Sequence, residues 1–166
     1  ASVGVYSLTT DEVALVPPHV SDTKIRRIEG CLNVKAVPTM IGGSVLIGAL
    51  ACANSWGLIL PHFTKEEEIQ AVESALPSIN VTIMETKRTA YGNMVLANDN
   101  GAIVDFRLKE KDVRIISDSL GVEAVPGEIA GPLSALLAGE QPGNGARRSF
   151  GPGHLSERGE PVGQNE

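Results

Sequence analysis

Apolar and polar positions along this chain return in register every 44 residues. Leu15, Ile59 and Ile103 each lie in a short apolar run. Ile25, Ile69 and Val113, then Ile28, Val72 and Ile116, then Leu32, Leu76 and Leu120 mark one stripe on three amphipathic segments. Smaller positions keep step: Gly4, Gly48 and Gly92 open the copies, and Thr10, Asn54 and Asn98 fall at a turn. A period of this length marks a repeat, propeller or array architecture, in which no unit can bury its own apolar face alone.

The second copy shows the elements most clearly. Ile47 to Ala53 is small and apolar, Asn54-Ser55-Trp56-Gly57 supplies turn chemistry, and Leu58-Ile59-Leu60 is a second apolar run ended by Pro61, so the pattern predicts a tight hairpin. Thr64 with Glu67 three residues on forms a capping box and predicts a helix start. Ile69, Val72 and Leu76 then share one helix face, which leaves Glu66, Glu68 and Glu73 to point outward. Pro77 stops the helix, and Val81 and Ile83 belong to a third strand. The first copy repeats this as Gly4–Leu8, Val13–Val16, a helix near Asp22–Leu32, and Val34–Val37; the third as Gly92–Ala97, Ala102–Val104, Lys109–Leu120 and Val122–Val125. The expected unit is strand, strand, helix, strand, with neighbours packed around a common centre as a ring or arc. The copies span about residues 1–46, 47–90 and 91–131.

A fourth copy is due near residue 136, but residues 132–166 hold seven glycines and four prolines and no strand alternation. They read as a disordered tail, either natural or the product of an altered frame. One domain is expected for a chain of 166 residues. A net charge of −6 argues against a phosphate-tracking surface and for a protein partner. Arg26-Arg27, Lys87-Arg88 and the basic residues from Arg107 to Arg114 have acidic neighbours and read as solvated helix faces. Met40 to Leu60 carries no charge, yet Asn54-Ser55 and its glycines point to buried strands and not to a membrane span.

Candidate chemistry is sparse. Gly42-Gly43-Ser44 looks like a phosphate loop but lacks the lysine and the following helix, and reads as the link between copies, leading into a strand. Cys52 lies within an apolar run at a core position, and Cys31 sits at a helix end, also structural; a disulfide between them is not expected. His19 and His62 share a loop position after the second strands, and His154 lies in the tail. Trp56, the sole tryptophan, is expected to pack over the neighbouring helix, with a partner contact as the alternative.

Three segments carry a resemblance. Val3-Gly4-Val5-Tyr6-Ser7-Leu8-Thr9-Thr10-Asp11-Glu12 with Leu15 and Pro17, Ile41-Gly42-Gly43-Ser44 running into Ala53-Asn54 and Gly57-Leu58-Ile59-Leu60-Pro61, and Thr89-Ala90-Tyr91-Gly92-Asn93 with Asn98-Asp99 and Gly101-Ala102 together resemble the translation initiation factor 6 family, its archaeal branch most closely. The resemblance implies an α+β pentein-type β/α propeller, of whose five repeats this chain would hold about three. It implies a non-enzymatic, cytoplasmic factor that binds the large (50S) ribosomal subunit and keeps it from joining the small one. The partners would be ribosomal proteins with adjacent rRNA; no DNA, membrane or cofactor is implied. Asn93 matches a position on the ring face that the family presents to the ribosome, and is the ribosome-binding candidate. Val5 and Ala49, its counterparts, have no polar chemistry to offer. A monomeric fragment is expected, with closure by another copy as the alternative. The main competing class is a guanidino-modifying pentein enzyme with a cysteine nucleophile; the other is a truncated product without activity.

Overall fold

A computed structural model describes residues 3–127, so the expectations for the tail and for His154 lie outside the described residues. The fold is α+β. It contains three small sheets, each of three strands, and each sheet is built by one copy of the sequence period. In the first unit β1 (Leu8–Thr9) pairs antiparallel with β2 (Val13–Val16), α2 (Asp22–Leu32) crosses over, and β3 (Lys35–Pro38) returns parallel to β2. A four-residue helical turn, α1 (Val3–Tyr6), precedes it. The second unit repeats the order with α3 (Ile47–Leu50), β4 (Cys52–Ala53), β5 (Gly57–Pro61), α4 (Glu66–Ala75) and β6 (Asn80–Met84). The third has a 3-10 turn (Tyr91–Asn93), β7 (Val95–Asn98), β8 (Gly101–Asp105), α5 (Glu110–Leu120) and β9 (Ala124–Gly127).

The expected strand, strand, helix, strand order holds, with one correction. Each segment carrying the repeat glycine was expected to start a strand, yet it forms a helical turn, and the strand begins three or four residues later. Packing between units is the reason. A Cβ on Gly48 would overlap the carbonyl oxygens of Gly4 and Ser7, and one on Gly92 those of Gly48 and Ala51. The turns of successive units therefore lie backbone against backbone, a contact closed to any larger residue.

The helices begin and end where local chemistry directs. Asn33 ends α2 in the left-handed conformation, its N–H donating to Glu29 O, and Gly121 does the same for α5. The start of α4 departs from expectation by one residue. Thr64 Oγ1 donates to Pro61 O at 2.7 Å and is spent on the preceding turn, while the Lys65 N–H donates to Glu68 Oε2 at 3.0 Å. Glu68 is accordingly buried, where an outward position was expected.

Neighbouring units share cores. Val13, Leu15 and Val37 of the first sheet pack with Leu58 and Leu60 of the second, with Val72 of α4 and with Leu76, which caps the end of that helix. Cys52 and Ile59, on the second sheet's other face, pack with Ala102 and Val104 and with Ile116 and Leu120 of α5. Thus α4 and α5 each lie between their own sheet and the preceding one. The charge-free stretch from Met40 to Leu60 is explained by β5, every residue of which is buried. Among the described residues no helix is long and apolar enough to cross a membrane.

Candidate functional site

The helical turns and the loops that follow β2, β5 and β8 lie at one end of the strands, since Leu8, Cys52 and Val95, at the start of the first strands, pair with Leu15, Ile59 and Val104 near the end of the second. Tyr91 anchors the third turn. Its ring is fully buried, its hydroxyl shares a 2.6 Å hydrogen bond with Thr86 Oγ1, and burial pushes the phenol's pKa up. Gly92 is held against the second unit as described, so the next residue, Asn93, is projected into solvent from a backbone fixed on both sides. Ala49, its counterpart, is half-buried, as is Val5.

Residues that the sequence pattern did not single out complete this end. The Asp105 N–H donates to Met94 O at 2.8 Å, which brings the loop after β8 beside the Asn93 turn. Phe106, next in that loop, is 63% exposed and has Arg107 at 5.9 Å from its ring centroid. Arg107 is clamped by Asp105, with Nε donating at 2.9 Å and Nη2 at 2.5 Å, and this guanidinium holds the Asp105 pKa down at about 2. Arg88 donates through Nη2 to Arg107 O at 2.8 Å. Lys87 and Arg88 thus sit in the link between units, not on a helix face as expected. Because Asp105 offsets Arg107, the cation beside this loop is Arg88. Asn93, Phe106 and Arg88 thus lie at the same end of the third unit, an exposed amide, an exposed aromatic ring and a half-buried cation. The signal for Phe106 was available: it stands 44 residues after His62, as a large apolar residue in a polar loop.

The other candidates resolve as structural. Gly42 and Gly43 adopt positive φ values of 59° and 77° in a turn closed by mutual Ile41–Ser44 backbone bonds at 3.0 Å. Their N–H groups donate to Glu68 at 2.5 Å and 2.7 Å. A carboxylate of the protein itself therefore occupies the place an anion would take. The turn links two units as expected, though it leads into α3 and not into a strand. His19 and His62 are both exposed in the loops after β2 and β5, one place apart in the 44-residue register, with His62 edge-on to Phe63. Trp56 does not pack over the neighbouring helix as a whole: its root lies near Gly121 at the end of α5, and the residue is 60% exposed.

Both cysteines are free. Cys52 is 4% exposed, and burial pushes its thiol pKa up to about 12, so that this side chain is a neutral core group at neutral pH. Cys31 differs from expectation in being exposed. A thiol-specific disulfide reagent is expected to titrate only Cys31 in the native chain and both thiols in denaturant; rapid native labelling of Cys52 would contradict this core.

The match to known proteins covers the three units. A family model described as the eIF-6 family matches residues 1–134. The chain is 39% identical over 135 residues to translation initiation factor 6 of Methanocaldococcus jannaschii, an alignment covering 78% of this chain and 58% of that protein. It is 37% identical over 137 residues to the factor of Methanosarcina mazei (82% and 61%) and 35% identical over 130 residues to that of Methanopyrus kandleri (78% and 58%). The chain thus spans about three-fifths of the length of these curated relatives. Because the matched region takes in every described unit, with its glycine turns and the Asn93 loop, the chain belongs to the eIF-6 family.

Proposed function

We propose that this chain acts as a ribosome anti-association factor, docking on the large (50S) ribosomal subunit through the end of the fold that carries Asn93 and sterically keeping the small subunit away. The observation that carries this reading is membership of the eIF-6 family, whose relatives bear the name translation initiation factor 6. Geometry supports the choice of face. An exposed amide on a turn fixed by Tyr91 and Gly92 loses little conformational freedom on binding, and Phe106 supplies apolar area beside it. Steric exclusion asks for no catalytic group, only for a rigid body held at the right place. The partners are ribosomal proteins with adjacent rRNA, in the cytoplasm. The fold is of the pentein type, three of its five units being present; the three successive units packed through their glycine turns support that reading.

Co-sedimentation of the purified chain with isolated large and small subunits tests the proposal. Stoichiometric pelleting with large subunits alone is expected. Asn93→Ala should weaken it about tenfold, or about 1.4 kcal/mol, while leaving thermal unfolding unchanged because the side chain is exposed. No pelleting by a chain shown to be folded would rule out binding by these units.

A further inference from the structure

Phe106 is an exposed aromatic side chain on a loop, and a loop ordinarily leaves such a group free to move. Here the backbone is held on both sides of it. The residue before, Asp105, donates its N–H to Met94 O at 2.8 Å, and the residue after, Arg107, accepts at its carbonyl from Arg88 Nη2 at 2.8 Å. The Arg107 N–H also donates to Asp105 Oδ1 at 2.8 Å, which closes the loop upon itself. With the first bond alone the loop could pivot about Met94; the bond to Arg88 removes that freedom.

Arg88 is itself anchored to the Asn93 turn. Its N–H donates to Thr86 Oγ1 at 3.1 Å, and that hydroxyl shares the 2.6 Å bond with Tyr91, whose ring anchors the turn. Its second guanidinium arm, Nη1, lies 3.9 Å from Sδ of Met94, the residue after Asn93. Among the described residues Arg88 forms no ion pair. Its donors are spent on a carbonyl and a thioether, so the group works by shape and reach and not by neutralising a carboxylate. The second unit is fastened differently. Ser44 stands at the place of Arg88 and bonds within its own turn, accepting from the Leu46 N–H at 3.2 Å, while the loop after β5 is held by the Phe63 ring, which a Cβ on Gly42 would approach to 2.0 Å. Of these two units, the arginine tie belongs to the one that carries Asn93.

We infer that Arg88 is a positioning residue for the docking face: it fixes the exposed Phe106 ring relative to the Asn93 amide, so that both meet the partner in one arrangement. The inference rests on the docking reading given above. Arg88 acts here through the Arg107 carbonyl and the Met94 side chain and not by touching the partner, and it lowers the conformational freedom that the loop gives up on binding. Lysine keeps the charge but has a single ammonium where the guanidinium fork reaches two groups. Arg88→Lys should therefore fail as Arg88→Met does, whereas a cation acting on the partner as a point charge would be replaced by lysine with little loss.

Amide hydrogen exchange of the full 166-residue chain, followed by NMR, measures the tie without the ribosome. In both variants the Asp105 and Leu108 amides, which bond to Met94 O and Asp105 O, should exchange at least about tenfold faster than in the wild type. The Ala102 and Asn80 amides, bonded to Glu123 O and Trp56 O at the other end of the strands, should keep their wild-type rates. Co-sedimentation with large ribosomal subunits should weaken about fivefold for both variants. Unchanged exchange at Asp105 and Leu108 would overturn the proposal whatever the ribosome does. Faster exchange with wild-type pelleting, or pelleting restored by lysine, would overturn it while leaving Asn93 as a contact. A wild type that does not pellet would remove the docking reading and this role with it, and the exchange rates would still report whether the tie exists.

Discussion

Gly92→Ala is expected to destabilise the chain by about 3 kcal/mol, the upper part of the range for overpacking a site that cannot yield. The direction decides between two arguments. Gly92 lies in a helical turn and its φ is not among the positive ones, so conformational preference alone favours alanine there, by roughly 0.5–1 kcal/mol. Packing argues the opposite way. The new methyl group would overlap the carbonyl oxygens of Gly48 and Ala51, both main-chain atoms of the second unit that cannot rotate aside as a side chain would. Relief requires the third unit to shift away from the second, which opens the shared core of Ile59, Ile116 and Leu120. Urea unfolding followed by circular dichroism measures the outcome. Gly4→Ala, with open space, provides the internal contrast and should be neutral or slightly stabilising. Equal stabilities for the two variants would mean that the glycines do not set the spacing between units.

That contrast also shows what the sequence made legible. The period, the helix spans and the core stripe could be read because leucine and isoleucine at fixed offsets must face something apolar, and α2 occupies the expected residues. The repeat glycines could be read as recurring, but not as helical: Val-Gly-Val-Tyr favours strand by local preference, while the structure packs these turns against a neighbouring unit. Periodicity likewise marks Leu32, Leu76 and Leu120 as equivalent without saying that Leu32 is exposed, since burial depends on a neighbour and not on the residue. At the candidate site Asn93 was reachable through the register of the glycine before it. Phe106 was reachable only as a large apolar residue in a polar loop, and Arg88 not at all, because their place beside Asn93 comes from single bonds between loops, Asp105 to Met94 and Arg88 to Arg107, that no spacing encodes.

Glu66, Glu67 and Glu68 are alike in composition, and only the fold distinguishes the third. Glu68→Gln is expected to cost about 2–3 kcal/mol, and Glu68→Ala more, because the carboxylate accepts three main-chain N–H groups at once. Oε2 takes Gly42 and Lys65, and Oε1 takes Gly43. A glutamine has one oxygen for these two positions, so its NH2 group must face at least one N–H donor. With its oxygen on Gly42 and Lys65 it retains two bonds, and the Gly43 N–H is left opposed to another donor. The loss therefore loosens the link between the first and second units as well as the start of α4. The third unit contains its own control, since Asp112 stands 44 residues after Glu68, is 4% exposed, and is one methylene shorter. Its Oδ1 has no hydrogen-bond partner among the described residues, so Asp112→Asn removes buried charge without breaking a clamp and should change stability by less than about 1 kcal/mol. Denaturant midpoints for the two amide variants, compared with wild type, separate the cases. Should Glu68→Gln prove no more damaging than Asp112→Asn, the Gly42-Gly43 turn is held by its own backbone geometry and the carboxylate is incidental to it.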